Sequence, residues 1–291
     1  MNYLDDLSRE LSSAGIRGRR RARIVDEFAD HLACNPQAEL GPPRKLARQF
    51  ADELGTSLAR NSAFIAFAAL ALVGIAVVSR LAIYYPLRNT NFDNGGTPEL
   101  LACIVAAQIA FVAGGLGLVR AVRLRAHATI PGAEARILAR RATVGLLAGV
   151  VASATVPLRA SSQHHPVGSD WMGLVAIALT VIVAAGAAVP LIAAGRVRPR
   201  AAGSPGDLFD DFGPLAGLAT SLAGRSVTRF AYVAAGALFL ALTAAGFAAD
   251  DGLDGIARGL AEAGVFLACY AALGRYLGLR PADGSLPAAS S

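Results

Sequence analysis

The chain has 291 residues, of which 54% are hydrophobic and only 16% charged, whereas charged residues make up about 25% of an ordinary soluble protein. This composition excludes a single soluble globular domain, because such a domain could not bury so much apolar surface, whereas a lipid bilayer could cover it. The first 61 residues differ, since they contain 10 Lys and Arg and 9 Asp and Glu. We therefore predict a charged N-terminal domain, residues 1–61, followed by a membrane domain.

Three short helices are predicted in the N-terminal domain. Asn2 stands where it can cap the first helix, Leu4, Leu7 and Leu11 then form one apolar stripe, and Gly15 marks its end. The second helix is predicted from about Gly18 to Cys34.

The third helix is predicted to begin near Pro43, and Gly55 is expected to break it before the first membrane span. Its apolar residues recur at i, i+4 and i+8, and they are Leu46, Phe50 and Leu54.

Six apolar stretches follow, each roughly 17 to 25 residues long, which is about the length that an α-helix needs to cross a bilayer. They cover residues 62–85, 100–119, 142–158, 172–195, 230–249 and 256–274. The predicted fold class is therefore all-α, with a small cytoplasmic three-helix domain, a six-helix transmembrane domain over residues 62–280, and a tail at 281–291.

The basic residues predict the orientation of these spans. If the N-terminus is cytoplasmic, the inner segments hold 23 of the 27 Lys and Arg residues, and the outer side keeps Arg80, Arg88, Arg159 and Arg258. This is the positive-inside bias of membrane proteins, so we predict a multi-pass protein of a bacterial inner membrane with both termini cytoplasmic. The net charge of +6 is thus mainly a topology signal.

The longer inner loop, residues 196–229, carries an acidic motif in which Leu208, Phe209 and Phe212 lie opposite Asp207, Asp210 and Asp211. Two interpretations stay open. The motif forms one or two helical turns at the membrane surface, or it is a solvated acidic loop.

Three strongly polar side chains within the predicted spans are notable, namely Arg80, Gln108 and Glu262. Arg80 and Glu262 have matching depths, which suggests a cross-helix ion pair in the outer leaflet. In the alternative, Arg80 extends outward to the head groups and Glu262 pairs with Arg258. Gln108 is expected to make an interhelical hydrogen bond.

The third span carries a stripe of small residues, Gly145, Gly149 and Ser153, which predicts close contact with a neighbouring helix.

Five arginines crowd the start of the second helix, where the helix dipole disfavours cations. They are Arg17, Arg19, Arg20, Arg21 and Arg23. They could contact anionic lipid, bind nucleic acid, or pair with an acidic partner or with the domain's own Asp26, Glu27 and Asp30. Nucleic acid ranks last, because the segment lacks aromatic interleaving and a recognition helix.

No catalytic or cofactor motif is present in the sequence, so we predict neither an enzyme nor a bound cofactor. The cysteines Cys34, Cys103 and Cys269 are too far apart for a metal site, and we expect all three to be small buried side chains. His164 and His165 could bind a metal, but a solvated loop is the favoured interpretation.

Residues 1–75 resemble the HAAS signalling domain of bacterial membrane proteins. The matching residues are Tyr3-Leu4, Leu11, Arg19–Ile24, Glu27, His31-Leu32, Leu40–Pro43, Leu46-Ala47, Phe50–Gly55 and Ala63–Leu70. Pro42 departs from the family, which commonly has an Asp there. The resemblance implies a cytoplasmic helical domain, no enzymatic activity and association with PadR-like transcriptional regulators.

Two function classes follow from these observations. The favoured one is a membrane-anchored signalling protein whose N-terminal domain binds a cytoplasmic protein. The alternative is a transporter or permease subunit of unknown substrate, against which the small number of polar residues in the spans counts.

Overall fold

A computed structural model describes residues 2–84, 97–162, 171–206, 211, 227–248, 252–274 and 276–279. Within these residues the chain folds into α-helices and contains no β-strand, as predicted. The main helices are α1 (Tyr3–Ser13), α2 (Arg19–Cys34), α3 (Pro43–Tyr84), α4 (Thr97–Arg123), α5 (Gly132–Ser162), α6 (Trp171–Arg196), α7 (Val227–Ala248) and α8 (Gly252–Leu273).

Five of these helices, α3, α4, α5, α7 and α8, contain stretches long and apolar enough to cross a membrane. The apolar part described for α6, Val181–Arg196, is shorter. Large apolar side chains such as Leu147, Val181 and Leu240 point away from the protein interior and are more than half exposed. Such side chains would be unfavourable in water over so wide a surface, so this is a helical membrane protein.

The helices α3, α4, α5 and α6 pack together, and α7 packs along α8. Small residues bring the first group close. A methyl group added to Gly145 on α5 would lie 3.1 Å from Leu70 on α3 and 3.4 Å from the Ala110 carbonyl oxygen on α4. The predicted close contact of the small-residue stripe is therefore confirmed.

The N-terminal helices share a hydrophobic core with the membrane helices. This core joins buried residues of α1 and the following turn, α2, α3 and the end of α6, and they are Leu7, Leu11, Ile16, Ile24, Ala47, Ala51, Leu58, Ala194 and Val197. Leu7 and Leu11 of the stripe predicted for α1 are thus buried, whereas Leu4 is half-buried. Residues 1–61 do not complete their core alone, because Ala194 and Val197 belong to the membrane part of the chain.

The ends of α1 follow the predicted signals in part. Gly15 adopts a left-handed φ of 92°, and the Ile16 amide donates to the Leu11 carbonyl, which is a typical glycine-ended helix terminus. At the start, the Asn2 side chain makes no capping hydrogen bond, contrary to expectation, and its backbone carbonyl accepts hydrogen bonds from the Asp5 and Asp6 amides.

The Tyr3 hydroxyl donates to the Gly41 carbonyl at 3.0 Å, and partial burial raises the pKa of Tyr3.

The predicted break at Gly55 is wrong, because α3 runs without interruption from Pro43 to Tyr84, over 42 residues. A single glycine costs a helix only about 1 kcal/mol, which tertiary packing readily overcomes. Gly55 serves close packing instead, since an added methyl group would lie 2.5 Å from Cδ of Pro199 and 2.8 Å from its nitrogen. One helix therefore belongs to both the N-terminal core and the membrane bundle.

We expect Gly55→Ala to lower stability by about 1–3 kcal/mol, because the new methyl group overlaps the Pro199 ring and backbone. The matched control is Gly195→Ala on α6, where an added methyl group meets no atom within 4 Å. Thermal unfolding of the purified full chain measures both variants. Equal unfolding temperatures for the two would contradict the packing role of Gly55.

Candidate functional site at the arginine-rich end of the bundle

A cluster of five charged side chains lies at the arginine-rich end of the bundle. Arg120 and Arg123 stand one turn apart on α4, Glu134 and Arg141 stand two turns apart on α5, and Asp211 comes from the chain beyond α6. Helical spacing places each pair on one face of its helix, so two adjacent helices present their charges to each other. We call these five residues the buried charge cluster.

Asp211 stands at the centre of the buried charge cluster. Its Oδ1 lies 3.0 Å from Nε of Arg120 and its Oδ2 lies 3.1 Å from Nη1 of Arg141. All three side chains are fully buried. Because buried ions lose their hydration, each of them depends on these charge-assisted hydrogen bonds.

Glu134 neutralises the other side of the buried charge cluster. Its carboxylate lies 3.0 Å from Nη2 of Arg123 and 3.2 Å from Nε of Arg120. The Gly206 amide donates to Glu134 at 2.6 Å, and Arg120 donates to the Gly206 carbonyl at 2.6 Å. Hydrogen bonds to both the amide and the carbonyl of Gly206 therefore hold the segment after α6 in place.

Arg141 connects the cluster to two further parts of the chain. Its Nε donates to the Leu277 carbonyl, 3.0 Å away and beyond the end of α8, and its Nη1 donates to the Leu116 carbonyl of α4 at 2.9 Å. Three arginines and two carboxylates leave a formal charge of +1 on the five residues. The arrangement is suited to holding these segments of the chain together. The described residues contain no group of His, Cys, Asp and Glu that could hold a metal ion.

Asp211 has a helical backbone, as the interpretation with helical turns requires, but its side chain is fully buried between Arg120 and Arg141 and does not lie at a surface. The interpretation as a solvated loop is therefore wrong at Asp211. The physical reason is that buried arginines on two packed helices require a counter-charge. The other residues of the acidic motif, Asp207–Asp210 and Phe212, lie outside the described residues. From the sequence, Arg120, Arg123 and Arg141 were interpreted only as topology signals. Glu134, an acidic residue among the six arginines of the segment 120–141, was the available signal for an internal ion pair.

The five arginines predicted as a partner or lipid surface remain largely accessible. Arg17, Arg19, Arg20 and Arg23 are exposed, and Arg21 is half-buried. Arg23 pairs with Glu27 at 2.9 Å, one of the internal pairings expected. Both members of that pair are well exposed, so it adds little stability. Arg17 lies apart from the others and faces α5 and the chain after α6.

Gln108 makes the predicted interhelical hydrogen bond, and its Nε2 donates to Glu262 on α8 at 3.2 Å. Both residues were predicted to be notable polar groups of the spans, but their pairing was not predicted. The side chains of Arg80 and Arg258 lie outside the described residues, so the Arg80–Glu262 ion pair stays a prediction.

The expectation of buried cysteines is wrong for Cys34, which is exposed at the end of α2, and Cys269 is partly buried. Cys34 is the last residue of α2, lies beyond the residues that face the core, and is exposed to solvent next to Asn35. The Cys103 side chain and the pair His164-His165 lie outside the described residues.

Comparison of the chain with protein-family models, curated proteins and solved structures finds no match.

We expect Asp211→Ala to lower the stability of the full chain by about 3–5 kcal/mol, because it leaves Arg120 and Arg141 buried without their shared counter-charge. The matched control is Asp30→Ala, which removes an exposed carboxylate from α2. The unfolding temperatures in detergent measure the difference. Similar small effects for both changes would show that the cluster does not hold the structure together.

Proposed function

We propose that this protein is a membrane-anchored signalling protein without enzymatic activity, whose N-terminal helices bind a cytoplasmic protein. The observation that carries the proposal is the continuity of α3, which belongs to the N-terminal core at one end and to the membrane bundle at the other. A rigid helix shared by both parts can transmit a displacement of the bundle to the N-terminal helices. A loose linker could not do this.

Further packing supports this coupling. Ala194 and Val197 at the end of α6 are buried in the N-terminal core, and the Arg200 amide donates to the Asp52 carboxylate of α3. The N-terminal helices are thus attached to the membrane part at α3 and also after α6. A rearrangement of α6 against α3 would alter the surface that α1 and α2 present.

The proposed partner surface is the start of α2, where Arg19, Arg20 and Arg23 are exposed. Cations at a helix N-terminus are unfavourable by about 0.3–1 kcal/mol each at low salt, so bundle stability does not account for them. An acidic protein surface would offset this repulsion. The HAAS resemblance implies a PadR-like transcriptional regulator as the partner.

The proposal places six spans in a bacterial inner membrane, with both termini cytoplasmic. It is supported by the location of 23 of 27 basic residues in the segments that would then be cytoplasmic. The N-terminal helices and the buried charge cluster would both face the cytoplasm.

Cysteine labelling in intact cells tests this topology. In a cysteine-free background, we expect single cysteines at Asn91, Ser169 or Gly252 to react with an impermeant thiol reagent, because they lie in the predicted outer loops. A cysteine at Ala202 is expected to react only after the cells are opened. Reaction of the Ala202 variant in intact cells would overturn the topology.

Affinity purification of the full chain tests the partner surface. We expect replacement of Arg19, Arg20 and Arg21 with Gln to prevent recovery of a discrete cytoplasmic partner, with a PadR-like regulator as the specific candidate, because the acidic partner loses its counter-charges. Recovery with the unmodified chain is expected to fall as salt rises.

The matched control replaces Arg44, Lys45 and Arg48 with Gln. These are three exposed basic residues at the start of α3. The control therefore removes the same number of positive charges as the α2 variant, but from a different surface. The control is expected to recover the partner normally. Equal recovery with both triple variants would contradict the assignment of the α2 surface.

A further inference from the structure

A second arginine-rich feature is a cleft between the N-terminal helices and the bundle. It is assembled from three segments: the turn after α1, the start of α5 and the chain after α6. Five arginines line it, and they are Arg17, Arg136, Arg196, Arg198 and Arg200. Its volume of about 700 Å³ falls within the range of small-molecule sites.

Two glycines bring these segments together. A methyl group on Gly15 would overlap the Arg196 carbonyl, and one on Gly132 would overlap the Pro199 carbonyl. The Gly132 amide also donates to the Ala201 carbonyl at 3.1 Å. Because backbone contacts fix its walls, the cleft is part of the packed structure and does not depend on the placement of long side chains.

The cleft is strongly and uniformly basic. All five arginines are exposed to solvent, and no Asp or Glu is among the described residues that line it. Two carboxylates near the cleft, those of Asp52 and Glu134, already accept hydrogen bonds. Asp52 accepts the Arg200 backbone amide, and Glu134 is buried with Arg123 and the Gly206 amide. The N-terminus of α5, at Gly132, lies in the cleft wall. Its helix dipole adds to the positive electrostatic potential of the cleft.

We propose that this cleft binds a phosphate-bearing anion. Guanidinium groups match the geometry of phosphate oxygens and bind them through paired hydrogen bonds. The volume is larger than a single phosphate needs, so the anion carries a second phosphate or a larger body. Both a soluble diphosphate and an anionic lipid head group have this chemistry. The site differs from the partner surface of α2 and does not depend on the proposed function.

Two probes distinguish the sources, each used with the purified full chain. Inorganic pyrophosphate is titrated calorimetrically into protein held in nanodiscs of zwitterionic phosphatidylcholine. In parallel, native mass spectrometry measures retention of phosphatidylglycerol by detergent-solubilised protein offered equal amounts of phosphatidylglycerol and phosphatidylcholine. We expect at least one probe to bind, with affinity that falls as salt rises.

Replacement of Arg198 and Arg200 with Gln is expected to weaken the affinity for the probe that binds by about tenfold or more, since each guanidinium supplies charge-assisted hydrogen bonds. Arg136→Gln, on a different segment, is expected to weaken it in the same direction. The control replaces Arg44 and Arg48, which are exposed on α3 outside the cleft, and is expected to bind normally.

Pyrophosphate binding alone would identify a soluble anion, and phosphatidylglycerol retention alone would identify a lipid head group. Binding of both would show that the cleft recognises the shared phosphate chemistry. Binding of neither probe by the unmodified chain overturns the proposal. So does equal binding by the cleft and control variants when circular dichroism shows both to be folded.

Discussion

The pairing of Asp211 and Glu134 with three arginines is the interaction on which the arginine-rich end of this protein depends. Arg120 and Arg141 are fully buried, and a buried guanidinium without a counter-charge is strongly unfavourable. Both carboxylates must therefore reach them when the chain folds. Glu134 comes from the helix that carries Arg141, but Asp211 comes from beyond α6. Satisfying these charges brings the chain after α6 back against the ends of α4 and α5.

The segment 196–206 then connects parts of the protein that are far apart in sequence. It contacts the turn after α1 at Gly15, α3 at Gly55 and α5 at Gly132, and its far end is held at Gly206 by the buried charge cluster. The N-terminal helices are consequently docked on the bundle at several points. This arrangement explains why a charged N-terminal part with a small core can be ordered, since α6 completes that core. It also gives movements within the bundle a direct path to the proposed partner surface.

Local sequence patterns predicted the local structure well. The apolar stripe of α1, the glycine at its end and the extent of α2 follow from periodicity and helix-ending signals, and the small residues of α5 do lie in a close helix contact. Gly55 shows where the same reasoning fails. A glycine required by the approach of Pro199, 144 positions later, has the same local signature as one that ends a helix.

The buried charge cluster could not be predicted in the same way. Its members are separated by up to 91 positions, as in the pair Arg120 and Asp211, and pairing over that distance depends on how the helices pack. From the sequence, the arginines were interpreted as topology signals, and Asp211 as part of a surface helix or a solvated loop. Each interpretation used the charge of one residue without its partner. Gln108 illustrates the same limit, because its interhelical bond was expected but its acceptor, Glu262, was not.

Hydrogen exchange on the full chain in nanodiscs tests most directly whether the buried charge cluster fixes the N-terminal helices to the bundle. The comparison is between the unmodified chain and Glu134→Ala, which removes the acceptor of the Gly206 amide and a counter-charge of Arg120. The account predicts faster exchange in residues 200–206 and also in α1 and around Gly55 of α3, because these contact the released segment. Faster exchange confined to the ends of α4 and α5, with α1 and α3 unchanged, would contradict it.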